Sequence, residues 1–69
     1  MKPLPFREVK RRLEAAGFVQ VSQKGSHAKF VKGARTVIVP SHHEVTAGVL
    51  RSVLRQASLR EDEFESLRK

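Results

Sequence analysis

Residues 18–40 read FVQVSQKGSHAKFVKGARTVIVP, and this stretch decides the fold. Three short segments in it are rich in β-branched and aromatic residues, and apolar and polar side chains partly alternate along them, as is typical of strands. Gly25 and Gly33 each stand in a short turn between two of these segments. Because strands joined by such short turns are antiparallel neighbours, the stretch predicts a three-stranded antiparallel sheet.

A helix is predicted on each side of this sheet. Before it, apolar residues recur at helical spacing over residues 6–16, and Gly17 is suited to a left-handed cap. After it, a second apolar stripe runs through residues 49–57. Each helix has a single apolar stripe, so the simplest packing places both helices on one face of the sheet. We predict one α+β domain over residues 1–69, in the order α-β-β-β-α, with a possible short C-terminal helix over 61–68.

The composition favours a polyanionic partner. The chain has 69 residues and a net charge of +7, and four of its seven acidic residues lie within 61–65. The body of the domain is therefore more basic than the total suggests, and such a field attracts nucleic acid regardless of base sequence. A domain this short also has little room for a deep pocket, so we expect no small-molecule cofactor.

Two absences narrow the class of protein. The chain contains no cysteine, which excludes disulfide bonds and thiolate metal sites. It has no apolar run near the ~18 residues of a membrane span, and its N-terminus lacks the apolar core of a signal peptide. We therefore expect a cytoplasmic protein with no membrane partner.

His27 is the candidate catalytic residue. It opens the predicted second strand, where alternation places it on the face opposite Ala28 and Phe30. If Phe30 points to the helices, His27 and Lys29 point to the open face. Imidazole is the side chain that exchanges protons near neutral pH.

The residues around His27 are suited to hold a phosphate through positive charge, close backbone approach and a hydroxyl donor: Lys24, Gly25, Ser26 and Lys29. Cleavage of RNA fits this setting, because the 2′-hydroxyl is a nucleophile beside its own phosphate. It needs a base to remove its proton and cations to stabilise the added charge, and it needs no metal. His27 could act as this base or as the acid.

Less specific interpretations stay open. His27 could be an ordinary exposed residue of a strand, and the cations of both helices could be a solvated surface. A non-catalytic module for double-stranded RNA would share the fold and the charge but would need only the cations. An adaptor that binds only protein would need neither RNA nor a titratable group.

Two further features receive structural interpretations. His42 and His43 are adjacent in a loop, so their rings project in different directions, and no further ligands follow at a usable spacing. We therefore predict no metal site. Thr46 precedes the second helix, whose N-terminus could receive a phosphate, but a plain N-cap is the favoured role.

Four segments, in order, resemble the HicA toxin family, the small mRNA interferases of toxin–antitoxin pairs. Residues 13–18 end in the family's G-F, and residues 23–27 carry its G-S-H motif. Residues 37–40 end in V-P, and residues 48–57 are similar to the family's G-T-L-R-S-I-L-K-Q-A helix. The resemblance extends over nearly the whole chain.

The resemblance implies a fold like that of double-stranded-RNA-binding domains and an endoribonuclease that cleaves mRNA and arrests translation and growth. It implies that His27 is catalytic and that a HicB-type antitoxin covers the active site. The chain departs from the family after the second helix, where Ser58 and Arg60 stand in place of the usual Gly and Ser. This departure predicts a less ordered tail.

Overall fold

The structure, a computed structural model, describes residues 1–41 and 43–68. The elements follow in the order α1 (Phe6–Ala15), β1 (Val19–Lys24), β2 (His27–Lys32), β3 (Arg35–Pro40), α2 (Ala47–Ala57) and α3 (Glu61–Ser66). The strands form one antiparallel sheet in the order β1-β2-β3. The predicted α+β class and the α-β-β-β-α order are confirmed, and the tail adds a third helix.

The core lies between one face of the sheet and the helices. Ala28 and Phe30 on β2, and Val37 and Val39 on β3, are fully buried on this face. They meet the apolar stripes of α1 and α2, formed by Val9, Leu13, Leu50, Val53, Leu54 and Ala57. Buried and exposed residues alternate along the first half of β2, which leaves His27 on the opposite, open face.

Both hairpins turn through two residues whose first member is glycine. Gly25 has φ +56° and Gly33 has φ +59°, whereas Ser26 and Ala34, which follow them, do not have positive φ. Glycine at the first central position is typical of the type II′ turn, whose twist matches that of the flanking strands. The two turns are therefore conformationally matched, although only the first adjoins His27.

The end of α1 is fixed by a left-handed glycine, as predicted. Gly17 has φ +101°, and the amide of Phe18 donates back to the carbonyl of Leu13 at 2.9 Å. The ammonium of Lys32 donates to the carbonyl of Ala16 at 2.7 Å. A Cβ on residue 17 would lie 3.1 Å from Cε of Lys32, which would have to shift by a few tenths of an ångström, so the positive φ is the main constraint that favours glycine here.

The end of α2 has the same form without a glycine. Ser58 has φ +59°, and the amide of Leu59 donates to the carbonyl of Leu54 at 2.9 Å. The backbone amide of Arg60 then donates to the carboxylate of Glu63 at 2.8 Å, at the start of α3. The prediction of a less ordered tail is therefore wrong, because serine adopts the left-handed conformation and a carboxylate caps the next helix.

A buried arginine attaches α3 to α1. Arg12 is only 5% exposed, and its Nε donates to the Glu8 carboxylate at 2.7 Å. Its guanidinium lies 4.9 Å from the centre of the Phe64 ring, and its Nη1 lies 3.9 Å from the Glu65 carboxylate. Phe64 is fully buried, so apolar burial and a cation–π contact together hold the short helix in place.

Replacing Ser58 by glycine should stabilise the protein. A residue with a Cβ pays roughly 1–2 kcal/mol to adopt the left-handed conformation, and glycine avoids this strain at some cost in unfolded-state entropy. We expect Ser58→Gly to raise the unfolding free energy by about 0.5–1 kcal/mol and the melting temperature by about 2–8 °C. Thermal and urea denaturation measure both. Gly17→Ala is the opposite control and should destabilise; a Ser58→Gly variant no more stable than the parent would contradict the assignment.

Acid should weaken the interaction of Glu8 with Arg11 and Arg12 on α1. The hydrogen bond from Arg11 has the largest effect and that from Arg12 the second largest, and together they lower the pKa of Glu8 from 4.5 to about 2. The carboxylate therefore contributes stability that is fully present above pH 4.5 and is lost as the pH falls toward 2. Urea denaturation between pH 5 and pH 2 should show this fall, and Glu8→Gln should flatten it. Glu14→Gln, on the exposed side of the same helix, should keep the parent's pH dependence. An unchanged profile in Glu8→Gln would refute the linkage.

Candidate functional site

The first hairpin brings the predicted site residues together at one end of the sheet. His27 is the cross-strand partner of Lys24 on β1 and of Pro40 on β3. Lys29 lies two residues farther along β2, on the same face. The side chains of Lys24, His27 and Lys29 are all exposed, so a ligand on the open face would reach each of them.

The charge around His27 is uniformly positive on the sheet. No strand residue is acidic, whereas the strands carry four cations, Lys24, Lys29, Lys32 and Arg35. Within residues 1–41 and 43–68, the ammonium groups of Lys24 and Lys29 have no hydrogen-bond or ion-pair partner. Both charges are therefore available to an anionic ligand beside the imidazole.

Apolar side chains also lie on the open face. Val19 is 61% exposed, Val21 52% and Ile38 39%. Ile38 is opposite Lys29, and Val19 is opposite Val31, which is half-buried. His27 therefore lies at one end of a surface that is both cationic and apolar.

A bulge in β1 gives its side chains an unusual arrangement. Gln20 pairs with Phe30 and Ser22 with Lys29, so Val21 is an extra residue between them. Residues three apart on a regular strand lie on opposite faces, but the extra residue places Gln20 and Gln23 on the same face. The amide of Gln20 accordingly donates from Nε2 to Oε1 of Gln23 at 3.0 Å.

The turn before His27 is braced by Gln23 and Ser41. Nε2 of Gln23 donates to the carbonyl of Gly25 at 3.1 Å and to the hydroxyl of Ser41 at 2.6 Å. The amide of Ser41 donates to the carbonyl of Ser26 at 2.6 Å. Ser41, the residue after β3, thus holds Ser26 directly and Gly25 through Gln23, and these two turn residues precede the candidate catalytic histidine.

Sequence reasoning missed this brace. The weak alternation over residues 19–23 is a signal that could have indicated a bulge and placed the two glutamines on one side. Nothing local indicates that Ser41 reaches Gln23, because the two are 18 residues apart. Only the packing of β3 beside β2 brings them into contact.

The loop after β3 has a structural role as far as it is described. His42 lies outside the described residues, and His43 is exposed. In the part of the chain that the structure covers, no three His, Asp or Glu side chains are grouped so as to hold a metal ion. Thr46 accepts a hydrogen bond from the amide of Val49 at 3.3 Å, which confirms the predicted N-cap. Val45 forms an isolated antiparallel bridge with Leu4 near the N-terminus.

A cleft of about 480 Å³ lies at the other end of the sheet. It is lined by Phe18, Lys32, Gly33, Arg35, Ala57, Ser58, Leu59 and Glu63, and none of the predicted site residues is among them. The candidate site is instead an exposed surface, as expected for a large polymeric ligand. Of the helices described, none is long and apolar enough to cross a membrane.

Comparison with known proteins identifies the family. The sequence profile described as HicA toxin of bacterial toxin–antitoxin matches residues 6–59 of the 69. No protein of curated function matches the chain. The matched region runs from the start of α1 to just beyond α2, so it contains the braced turn and His27, while α3 lies outside it. The chain therefore belongs to the HicA toxin family of bacterial toxin–antitoxin systems.

Proposed function

We propose that this protein is the toxin of a type II toxin–antitoxin pair and an endoribonuclease that cleaves mRNA in the cytoplasm, with His27 as its catalytic residue. One observation carries the proposal. In a chain of a toxin family, an exposed imidazole stands on a sheet whose strands contain no acidic residue. Two ammonium groups that have no ion-pair partner among the described residues flank this imidazole. This surface is suited to a phosphate beside a proton acceptor.

The proposed reaction uses the nucleophile that RNA itself contains. A base removes the proton of the 2′-hydroxyl, whose oxygen attacks the adjacent phosphorus. The bond from phosphorus to the 5′-oxygen breaks, and that oxygen takes a proton. The products are a 2′,3′-cyclic phosphate and a 5′-hydroxyl. His27 serves as the base or the acid, and Lys24 and Lys29 stabilise the charge that develops on the phosphate.

Binding of RNA is proposed to depend on its backbone. Lys24 and Lys29 supply charge, and Gly25 and Ser26 let the main chain approach a phosphate closely. None of the four phenylalanines is free to serve as a stacking platform, since Phe18, Phe30 and Phe64 are buried and Phe6 packs against the core. This arrangement favours contacts to phosphate and sugar over contacts to bases.

Removing the imidazole should abolish cleavage and leave the fold intact. Loss of a general acid or base lowers rates about 100- to 10,000-fold, so we expect His27→Ala to reduce kcat on a short RNA by that factor. His43→Ala is the matched control and should cleave at the parent rate. The parent should cleave equally well in EDTA and should not cleave an oligonucleotide with 2′-deoxyribose at the cleavage site.

Other results would change the assignment. Cleavage by His27→Ala at the parent rate would exclude His27 as the catalytic residue. A parent protein that binds RNA with steep salt dependence and never cuts it would be a non-catalytic binding module. Absence of RNA binding at low salt would favour an adaptor that binds only protein.

We propose further that a HicB-like antitoxin covers the open face of the sheet. Val19, Val21 and Ile38 are too exposed to contribute to the core, and a phosphate backbone gains little from them. A protein segment that carries both apolar and acidic side chains would bury these residues and neutralise the nearby lysines. Bound there, it would also cover His27.

Polar substitutions on this surface should weaken antitoxin binding selectively. Fully burying a valine is worth about 1.5 kcal/mol or more, which corresponds to about tenfold in affinity. We expect Val19→Ser with Val21→Ser to raise the Kd for the cognate antitoxin about 10- to 100-fold, with RNA cleavage within twofold of the parent. Ala34→Ser, in the opposite turn, is the control. Loss of RNA cleavage with unchanged antitoxin binding would assign the surface to RNA instead.

A further inference from the structure

The side-chain amide of Gln23 has a hydrogen-bond partner for each of its polar atoms. Its Nε2 donates to the Gly25 carbonyl and to the Ser41 hydroxyl, and its Oε1 accepts from Gln20. A backbone carbonyl can only accept, so the atom that faces Gly25 must be the nitrogen. The orientation of this amide is therefore fixed by the chemistry of its partners.

This contact sets the direction of the peptide group between Gly25 and Ser26. Gln23 is the cross-strand partner of Ala28, whose side chain is buried on the helix side of the sheet. The Gln23 side chain therefore holds the carbonyl of Gly25 from the helix side of the sheet. In a planar trans peptide the N–H points opposite to the C=O, so the amide of Ser26 points toward the open face.

The amide of Ser26 has no acceptor among the residues that the structure describes. It lies one residue before His27, on the side of the hairpin that carries the imidazole. The carbonyl of the same residue is held by the amide of Ser41, so the peptide that follows is also restrained. A free backbone donor is therefore held in a fixed direction beside the candidate catalytic ring.

We propose that Gln23 is a positioning residue, and that the backbone N–H of Ser26 donates to a non-bridging oxygen of the RNA phosphate attacked at His27. This inference rests on the proposed ribonuclease function and adds a donor that is not a side chain. A donor fixed before the reaction stabilises charge that develops on the phosphate without having to reorient. The bulge in β1 contributes indirectly, because it places Gln20 where it holds Gln23.

Total chemical synthesis of the 69-residue chain tests the donor directly. Replacing the amide of Ser26 by an ester removes its N–H and keeps its side chain. Removal of one such donor costs about 100- to 1,000-fold in kcat in enzymes that stabilise an oxyanion, and we expect a loss of this size. The matched control is an ester at Ala34, which occupies the same position in the second turn, where Gly33 has φ +59°.

Substitution of the brace tests its positioning role. We expect Gln23→Leu to lower kcat at least tenfold with KM and the urea midpoint nearly unchanged. Gln20→Leu removes only the hydrogen bond to Oε1 of Gln23 and should lower kcat by a smaller factor. Ser41→Ala should have an intermediate effect, and Ser41→Thr, which keeps the hydroxyl, should restore activity. A purely structural role would instead lower the urea midpoint of Gln23→Leu.

A binding measurement separates this inference from the proposed function. The probe is an RNA oligonucleotide with 2′-deoxyribose at the cleavage site, which binds without being cut. In the parent, its addition should shift the NMR signal of the Ser26 amide downfield, and in Gln23→Leu this shift should be lost. The inference would be overturned if the parent showed no downfield shift, or if kcat of the Ser26 ester were within twofold of that of the Ala34 ester. Either result would count against it even if His27→Ala abolishes cleavage. If the parent protein shows the shift but never cuts RNA, the Ser26 N–H still binds a phosphate of the RNA, and the proposed ribonuclease activity is refuted.

Discussion

The structure depends on the register of the central strand β2. Ala28 and Phe30 must both enter the core between the sheet and the helices, and they are fully buried there. Since side chains alternate along a strand, this requirement directs His27 and Lys29 to the opposite face. A shift of one residue would bury the imidazole and a lysine, which the apolar core could not stabilise. The same packing that folds the domain therefore exposes the candidate catalytic group.

The two faces of the sheet carry different tasks. The helix-side face holds the apolar core and, at its margin, the Gln20, Gln23 and Ser41 contacts that brace the first turn. The open face carries His27, cations and exposed valines. Fixing the turn from the helix side leaves the open side unobstructed, so rigidity near the candidate site does not require covering it. A domain of this size has few residues to spare, and this division lets one hairpin meet both needs.

The contacts of Arg12 on α1 attach the acidic C-terminal helix to the rest of this basic chain. Arg12 lies at the edge of the apolar stripe of α1, where an exposed side chain would be expected, but it is buried. Its guanidinium contacts Glu8 and the ring of Phe64. A buried guanidinium is tolerated only with such partners, because its desolvation is costly. α3 is thereby attached to the domain although it lies beyond the residues that match the family. The acidic helix is thus held against α1, and its Glu63 lines the same cleft as Lys32 and Arg35 of the sheet.

By itself, the sequence determined the strands, the two main helices, the cap at Gly17 and the face on which His27 lies. These features follow from local periodicity and from backbone conformations that glycine favours. The tertiary structure decided the rest: the burial of Arg12, the bridge between Leu4 and Val45, and the contact between Gln23 and Ser41. Each of these joins residues far apart in the chain or depends on a neighbouring element, so no local pattern encodes it. The left-handed conformation of Ser58 was also decided by the tertiary structure. A serine disfavours this conformation, and the packing of Leu59 and α3 outweighs that preference.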